Sequence, residues 1–168
     1  MQISKKLPQF ERYPALFISS GEYEAHFHIA FKGSFELVRT IKMEPRVEAK
    51  EKQGFEGRKA GMKSISAFSH HGRYVEDLKE RFSRNVHRTI QNLILENKLN
   101  EIYLFAPKYV ANRIMRELDK SQQKKVRMQF FKEYTKENPI KLIEIFESEI
   151  ESMQKIATAT PKKQILLK

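Results

Sequence analysis

Residues 101–110 read EIYLFAPKYV, and this stretch decides which kind of fold the chain can form. The run Ile102–Ala106 is short, continuous and apolar, which is typical of a central strand covered on both faces of a sheet. Pro107 follows directly and fits the start of a helix. The side chains that would face inward from this helix are Val110, Ile114 and Leu118. A buried strand followed at once by a helix predicts an α/β fold.

A long helix precedes this strand in the sequence. From Arg73 to about Asn97 the apolar residues recur at steps of three or four, which indicates one apolar stripe along a helix. They are Val75, Leu78, Phe82, Val86, Ile90 and Leu93. After the central strand, Val126–Phe131 fits a further strand, and Asn138-Pro139 is a typical helix start. The apolar positions between Ile140 and Ile156 predict the buried face of that last helix.

Three further strands are predicted near the beginning of the chain. Residues 15–20 are mostly apolar, residues 24–31 alternate between apolar and polar, and residues 35–42 continue the pattern. Short turns containing Gly21 and Gly33 separate them, which predicts an antiparallel meander. The whole order predicts a mixed α/β sheet that begins with a three-stranded antiparallel meander and carries helices on its faces.

Length and composition limit the possible functions. The 168 residues correspond to one domain. We assign residues 1–13 to an N-terminal arm, 14–157 to a single α/β domain and 158–168 to a C-terminal tail. The chain has no cysteine, which excludes disulfides, cysteine-ligated metals and cysteine nucleophiles. No apolar run has the length of a membrane span, and no apolar signal segment is seen, so we expect a cytoplasmic protein without a membrane partner.

The segment 44–72 interrupts the regular pattern. It holds four of the six glycines and has no sustained periodicity, which predicts a long loop. Between residues 52 and 73 the only acidic side chain is Glu56. The basic side chains there are Lys52, Arg58, Lys59, Lys63 and Arg73. This loop is either an ordinary solvated segment or a basic segment that becomes ordered on RNA.

A second basic run follows the central strand. Arg113, Arg116 and Lys120 are spaced i, i+3 and i+7, which would place them on one helix face, and Lys120–Lys125 is predicted as a polar connection. Chain-wide, 32 Lys and Arg oppose 21 Asp and Glu, which gives a net charge of +11. Lysine and arginine bind phosphates without sequence readout, so RNA contact and a plain solvated surface are both open here.

The sequence predicts no catalytic residue, no metal and no cofactor. His26 and His28 share one face of a strand, but without a further ligand at suitable spacing we interpret both as exposed. His70-His71 lies beside Ser69 without an acid to orient it. The predicted strands carry no set of converging carboxylates such as a metal-dependent nuclease needs.

Three segments resemble a known family. They are Phe82–Val86 (FSRNV), Ile102–Val110 (IYLFAPKYV) and Phe131–Thr135 (FKEYT). The chain resembles the bacterial host-attachment-protein family over roughly residues 14–157. That family is similar to the middle domain of archaeal and eukaryotic class-one peptide-chain release factors. The resemblance implies a ribonuclease-H-like domain and a link to translation.

The resemblance also locates the catalytic tip of true release factors. Their Gly-Gly-Gln motif would lie in the segment 44–72, which here contains Gln53-Gly54 but no Gly-Gly-Gln. Peptidyl-tRNA hydrolysis is therefore not implied for this chain.

Three hypotheses result, and the oligomeric state is left open. The leading one is a non-enzymatic RNA- or ribosome-associated protein with a release-factor-like domain. The first alternative is a hydrolase that uses the 44–72 loop, with Gln53, His70 or His71 as its polar group. The second is a host-attachment or regulatory protein-interaction module in which the charge serves solubility only.

Overall fold

The computed structural model describes residues 1–44 and 65–159, with side chains at 1–44 and 73–156. Five strands form one sheet in the order β3-β2-β1-β4-β5. The strands are β1 (Ala15–Ser20), β2 (Glu24–Phe31), β3 (Ser34–Lys42), β4 (Glu101–Phe105) and β5 (Val126–Phe130). The helices are α1 (Ile65–Asn97), α2 (Lys108–Glu117), α3 (Lys120–Lys125) and α4 (Ile140–Ala159).

The sheet is mixed, with its antiparallel part on one side of β1 and its parallel part on the other. β2 pairs antiparallel with both β1 and β3, whereas β4 pairs parallel with both β1 and β5. Parallel neighbours need crossover connections, and helices supply them here. The predicted fold class, a mixed α/β sheet that starts with an antiparallel meander, is confirmed.

The turn between β2 and β3 explains why glycine occupies position 33. Lys32 and Gly33 both have positive φ angles, 47° and 75°. Two consecutive positive φ angles define the two-residue turn that matches the twist of a hairpin. A Cβ atom at Gly33 would also lie 2.7 Å from Oε1 of Gln9. The backbone conformation therefore favours glycine, and a larger side chain would also have to displace the end of the Gln9 side chain.

Side chains alternate between two hydrophobic cores, one on each face of the sheet. Leu16, Ile18 and Leu104 point to the first core, which is completed by α1 and α2. Phe17 and Phe105 point to the second core, which is completed by α4. Because β1 and β4 are covered on both faces, the predicted interpretation of Ile102–Ala106 as a central buried strand is confirmed.

The segment predicted as an N-terminal arm has neither a regular helix nor a regular strand, but it packs against the second core. Ile3 is buried, and its backbone N–H donates to the carbonyl of Gly33 at 2.7 Å. The ring of Phe10 lies 5.5 Å from that of Phe17 and 5.7 Å from that of Phe146.

Both long helices depart from their predicted extents. α1 begins at Ile65, so residues 65–72 are helical although we predicted a loop over 44–72. The apolar spacing of Ile65, Phe68 and Val75 continues the helical period, and a helix tolerates Gly72 at a cost of about 1 kcal/mol. Residues 45–64 of the predicted loop lie outside the described residues. In α4, Met153 and Ile156 are exposed rather than buried, because the helix extends beyond the edge of the core.

The predicted polar connection Lys120–Lys125 is also wrong, because it forms the short helix α3. Asp119 caps this helix: its Oδ1 accepts from the backbone N–H of Gln122 at 2.8 Å. The side chain of Gln122 in turn accepts from the backbone N–H of Asp119 at 3.1 Å. This reciprocal pair is a capping box, which satisfies two backbone donors and starts a new helix. Lys120 therefore does not continue the helix that carries Arg113 and Arg116.

His28 is buried, contrary to our interpretation of both strand histidines as exposed. Only 4% of its surface is accessible, and its ring stacks on Phe35. The start of α4 and the segment that leads to it cover this face of the meander. Within the described ranges, no helix has both the length and the apolar character needed to cross a bilayer.

Candidate nucleic-acid interface

The structure places only half of the predicted RNA-binding residues. Lys52, Arg58, Lys59 and Lys63 lie outside the described residues. Arg73 on α1, Arg116 on α2 and Lys120 on α3 are exposed. They therefore lie on three different helices, and Arg113 on α2 is half-buried.

Arg113 belongs to an ion-pair network that joins three elements. Its guanidinium lies 3.2 Å from Oε2 of Glu76 on α1. Glu76 also lies 3.5 Å from the ammonium of Lys79, which is 2.6 Å from Oε1 of Glu22 in the turn before β2. The hydrogen bond to Glu22 raises the pKa of Lys79. Two carboxylates thus offset two cations, and Arg113 contributes less positive charge to the surface than Arg116.

A basic surface lies on α1, and only Arg73 among its residues was predicted as a contact. Arg73, Arg81, Arg84 and Arg88 fall within one sector of about 80° when each residue advances by ~100°. We call these four residues the arginine face. The sequence itself indicates this surface, because Arg81, Arg84 and Arg88 are three and four residues apart and lie outside the apolar stripe of the helix.

Three members of the arginine face surround a surface hollow. Arg81, Arg84 and Arg88 line a hollow of about 310 Å³ together with Met43 and Asn85. The amide of Asn85 donates to Sδ of Met43 at 3.8 Å. The backbone N–H of Met43 donates to the carbonyl of Tyr23 at 2.8 Å. The segment after β3 is thereby held against α1 and forms the wall opposite the arginines.

The arginines of the hollow differ in how strongly they are neutralised. Arg81 pairs with Asp77 at 2.7 Å, one helical turn earlier. Among the described residues, no carboxylate lies within ion-pair distance of Arg84 or Arg88. Both side chains are exposed. Within the described ranges, these two guanidinium groups therefore have no carboxylate partner, and they flank a concave surface that is suited to an anionic group with several acceptor oxygens.

The described residues do not bring together a metal site. No group of three or more His, Asp or Glu side chains converges within residues 1–44 and 73–156. Arg84 and Arg88 offer cationic hydrogen-bond donors at this surface.

Taken together, the mixed sheet and the arginine face define a basic α/β domain. A family model described as "Protein required for attachment to host cells" matches residues 36–145, and the chain belongs to that family. The predicted family resemblance is confirmed. No curated protein matches the chain.

Two of the solved structures that the chain resembles are described as archaeal. One is described as "Archaeal protein", with a TM-score of 0.44 and 9% identity over 86% of this chain and 39% of its own. Another is the archaeal translation termination factor aRF1, with a TM-score of 0.44 and 8% identity over 86% of this chain and 40% of its own. This chain spans about two fifths of the length of either structure.

Proposed function

We propose that this protein binds RNA phosphates through the arginine face and acts as a non-enzymatic RNA- or ribosome-associated protein. The observation that carries the proposal is the pair Arg84 and Arg88, exposed beside a hollow and without a carboxylate partner among the described residues. An exposed cation on a solvated surface often has an acidic neighbour, as Arg81 has in Asp77. With respect to the described part of the chain, Arg84 and Arg88 are available for an external anion.

The chemistry of arginine favours phosphate over other anions. A guanidinium group presents a rigid fork of N–H donors that matches two phosphate oxygens, and it is less strongly hydrated than an ammonium group. The net charge of +11 adds a long-range attraction that steers polyanions to the protein. RNA supplies a row of phosphates and therefore fits several arginines along one helix.

The predicted residues fall into two groups relative to this surface. Arg73 lies on the same face of α1, nearer to its start. The predicted contacts Lys52, Arg58, Lys59 and Lys63 belong to the chain segment that leads into α1, and they remain part of the proposal. Arg116 and Lys120 form a separate candidate surface, because they lie on α2 and α3.

Two other functions remain alternatives. The family description favours an interaction module in host attachment, for which the charge would serve only solubility. The other alternative is a hydrolase that uses Gln53, His70 or His71. Turnover of RNA or of peptidyl-tRNA by the purified protein would favour the hydrolase over the binding protein.

The test is binding of a fluorescent single-stranded RNA across a salt series. We compare wild type with Arg84→Gln/Arg88→Gln and with Lys5→Gln/Lys6→Gln, which removes the same charge from exposed positions in the N-terminal segment. Loss of two phosphate contacts should reduce the slope of log affinity against log salt by about 1.4, at ~0.7 per contact. Lys5→Gln/Lys6→Gln should keep the wild-type slope.

Co-sedimentation with ribosomes at graded salt extends the test to the physiological partner. Release of Arg84→Gln/Arg88→Gln at lower salt than wild type would support ribosome association through this face. Equal slopes for wild type and both variants would contradict the arginine face as the RNA site. Absence of any RNA or ribosome binding by wild type would favour the interaction module.

A further inference from the structure

The two edges of the sheet are protected to different degrees. Along the outer edge of β3, the backbone N–H of Phe35 donates to the carbonyl of Met1 at 2.8 Å, so the N-terminal segment covers part of that strand. β3 also carries exposed charged side chains, among them Glu36 and Arg39. Covering segments and charges are the usual protection of an edge strand. At the other edge, β5 pairs with β4 alone among the described residues and carries a single charged residue, Arg127.

β5 directs backbone groups away from the sheet. The carbonyl of Phe130 accepts from the backbone N–H of Ala106 at 3.0 Å, so Phe130 directs its backbone groups towards β4. Successive residues of a strand direct their backbone groups to opposite sides, so the N–H and the carbonyl of Gln129 face outward. Within residues 1–44 and 65–159, no strand pairs with this edge. Such an edge can accept a further strand.

A groove runs beside this edge, between β5 and α4. Its volume is about 550 Å³. Met128 and Phe130 line it from the sheet, and Ile145 and Met153 line it from α4. Met153 is 50% exposed, and Phe131, which follows β5 directly, is 56% exposed. A strand placed along β5 would therefore cover apolar side chains as well as pair with backbone groups, and both contribute to binding of extended peptides.

The charges at the groove define which side chains fit. Arg127 and Lys132 lie at opposite ends of the β5 side of the groove, and both are exposed. Oε1 of Glu101 lies 3.8 Å from Nε of Arg127, which is a long ion pair. Side chains of an added strand alternate between the two faces of the sheet. Those facing α4 meet Met128 and the carboxylate of Glu149, so apolar side chains fit there, whereas those on the other face pass Arg127, which favours carboxylates.

We propose that this groove binds an extended segment of a partner protein, which adds to β5 as a sixth strand and alternates apolar with acidic side chains. Two other occupants match the charges less well. A second copy of the chain would bring two copies of Arg127 and Lys132 to one shared edge, where like charges oppose association. The chain's own residues 160–168 hold three lysines and no acidic side chain. The proposal does not depend on RNA binding, because the groove shares no residue with the arginine face.

The first experiment measures binding of a fluorescent heptapeptide that alternates valine with glutamate to the full chain, by fluorescence anisotropy. Because one strand buries a small area, we expect a Kd on the order of 100 µM. The same peptide with lysine in place of glutamate should bind about tenfold more weakly. Two further peptides carry methyl groups on the odd or on the even backbone nitrogens. One of these two should bind about tenfold more weakly, because its N–H groups that face β5 are removed, and the other should bind like the unmodified peptide.

Gln129→Pro tests the edge from the side of the protein. Proline removes the outward N–H of residue 129 but no hydrogen bond to β4, and edge strands tolerate proline at such positions. We expect glutamate-peptide binding to weaken about fivefold, the value of one hydrogen bond. Gln129→Val is the matched control, because it changes the same side chain and keeps the N–H, and it should bind like wild type.

A second variant keeps the test valid if Gln129→Pro does not fold. Arg127→Gln/Lys132→Gln changes two exposed side chains and should weaken glutamate-peptide binding about fivefold, the value of two exposed ion pairs. Lys5→Gln/Lys6→Gln removes the same charge at a distant exposed segment and should leave peptide binding unchanged.

Several results would overturn the proposal. They are absence of glutamate-peptide binding, equal binding of the glutamate and lysine peptides, and equal binding of both methylated peptides and the unmodified one. A dimer in sedimentation that Gln129→Pro dissociates would assign the edge to a second copy of the chain. Displacement of the peptide by an oligouridylate would assign the groove to RNA. None of the variants changes Arg84 or Arg88, so the RNA proposal and this one can fail separately.

Discussion

At the scale of single residues, the burial of His28 couples folding to pH. Desolvation disfavours the charged imidazole, and the positive charge of a protonated His26 on the same strand disfavours it further, which lowers the pKa of His28 to about 4. In an unfolded chain a histidine titrates near about 6.5. Between these two values the unfolded state binds more protons than the folded state. Stability therefore falls as the pH decreases from 6.5 towards 4.

We predict that His28 alone lowers the free energy of unfolding by about 2–3 kcal/mol between about pH 7 and about pH 4.5. The measurement is urea unfolding of wild type and His28→Phe at both pH values. His28→Phe should lose less stability on acidification than wild type, because it has no group to protonate at this position.

The other titratable groups around His28 are present in both wild type and His28→Phe. His26 lies 3.4 Å from Oε1 of Glu24, and Glu137 lines a cavity beside His28 and pairs with Lys141 at 2.8 Å. The contribution of Glu137 cancels when the two proteins are compared, whereas the repulsion between His26 and His28 exists in wild type only and is part of the expected difference. Equal acid destabilisation of wild type and His28→Phe would mean that the imidazole is accessible to water in the folded state.

At the scale of elements, β4 is the strand on which both cores depend. Leu104 is 1% exposed and packs in the core that α1 and α2 complete. We predict that Leu104→Ala lowers the free energy of unfolding by about 2–5 kcal/mol, because it removes buried methyl groups and leaves a cavity. Leu104→Asp should prevent folding, since an isolated carboxylate cannot be buried there without a partner.

Leu95 provides a matched control for this prediction. It is the same residue type, but it lies on α1 with 73% of its surface exposed. Leu95→Ala should change the free energy of unfolding by no more than about 0.5 kcal/mol. Similar losses for the two leucine variants in urea unfolding would contradict the central position of β4.

The helices and strands that the sequence predicts correctly are those whose pattern of apolar residues repeats within a few residues. The apolar run of β4, the alternation in β2 and the apolar stripe of α1 each reflect a local period, and the five predicted strands are all present. The start of α1 was missed because Gly72 and the histidines conceal the continued period. α3 was missed because its stability comes from the Asp119–Gln122 capping box rather than from an apolar face.

The candidate sites were less predictable because they depend on contacts between distant segments. His28 stacks on Phe35 and lines a cavity together with Thr135 and Leu142, so its surroundings come from segments far from residue 28 in sequence. Arg84 and Arg88 likewise have no carboxylate partner among the described residues, and this depends on which carboxylates the fold brings near. Arg113, in contrast, forms an ion pair with Glu76, which lies on another helix.

At the scale of the whole molecule, the net charge of +11 raises the question of where an RNA would lie. α1 carries the arginine face, and the chain leading into α1 carries Lys52, Arg58, Lys59 and Lys63. The two basic groups follow one another in sequence, and we predict that one RNA strand contacts both. Arg116 and Lys120 lie on other helices and would require a strand that passes over α2 and α3.

We predict that replacing Lys52, Arg58, Lys59 and Lys63 together with glutamine weakens RNA binding and flattens its salt dependence. Four lost phosphate contacts at ~0.7 each should reduce the log–log slope by about 2.8, against about 1.4 for Arg84→Gln/Arg88→Gln. If one RNA strand contacts both basic groups, a variant that combines both sets of substitutions should show the sum of the two slope reductions. An unchanged slope in the quadruple variant would remove the segment from the RNA site and leave the arginine face alone. If both variants keep the wild-type slope of log affinity against log salt, the RNA site would instead lie at Arg116 and Lys120. In that case replacing both of these residues with glutamine should remove the whole salt dependence of RNA binding.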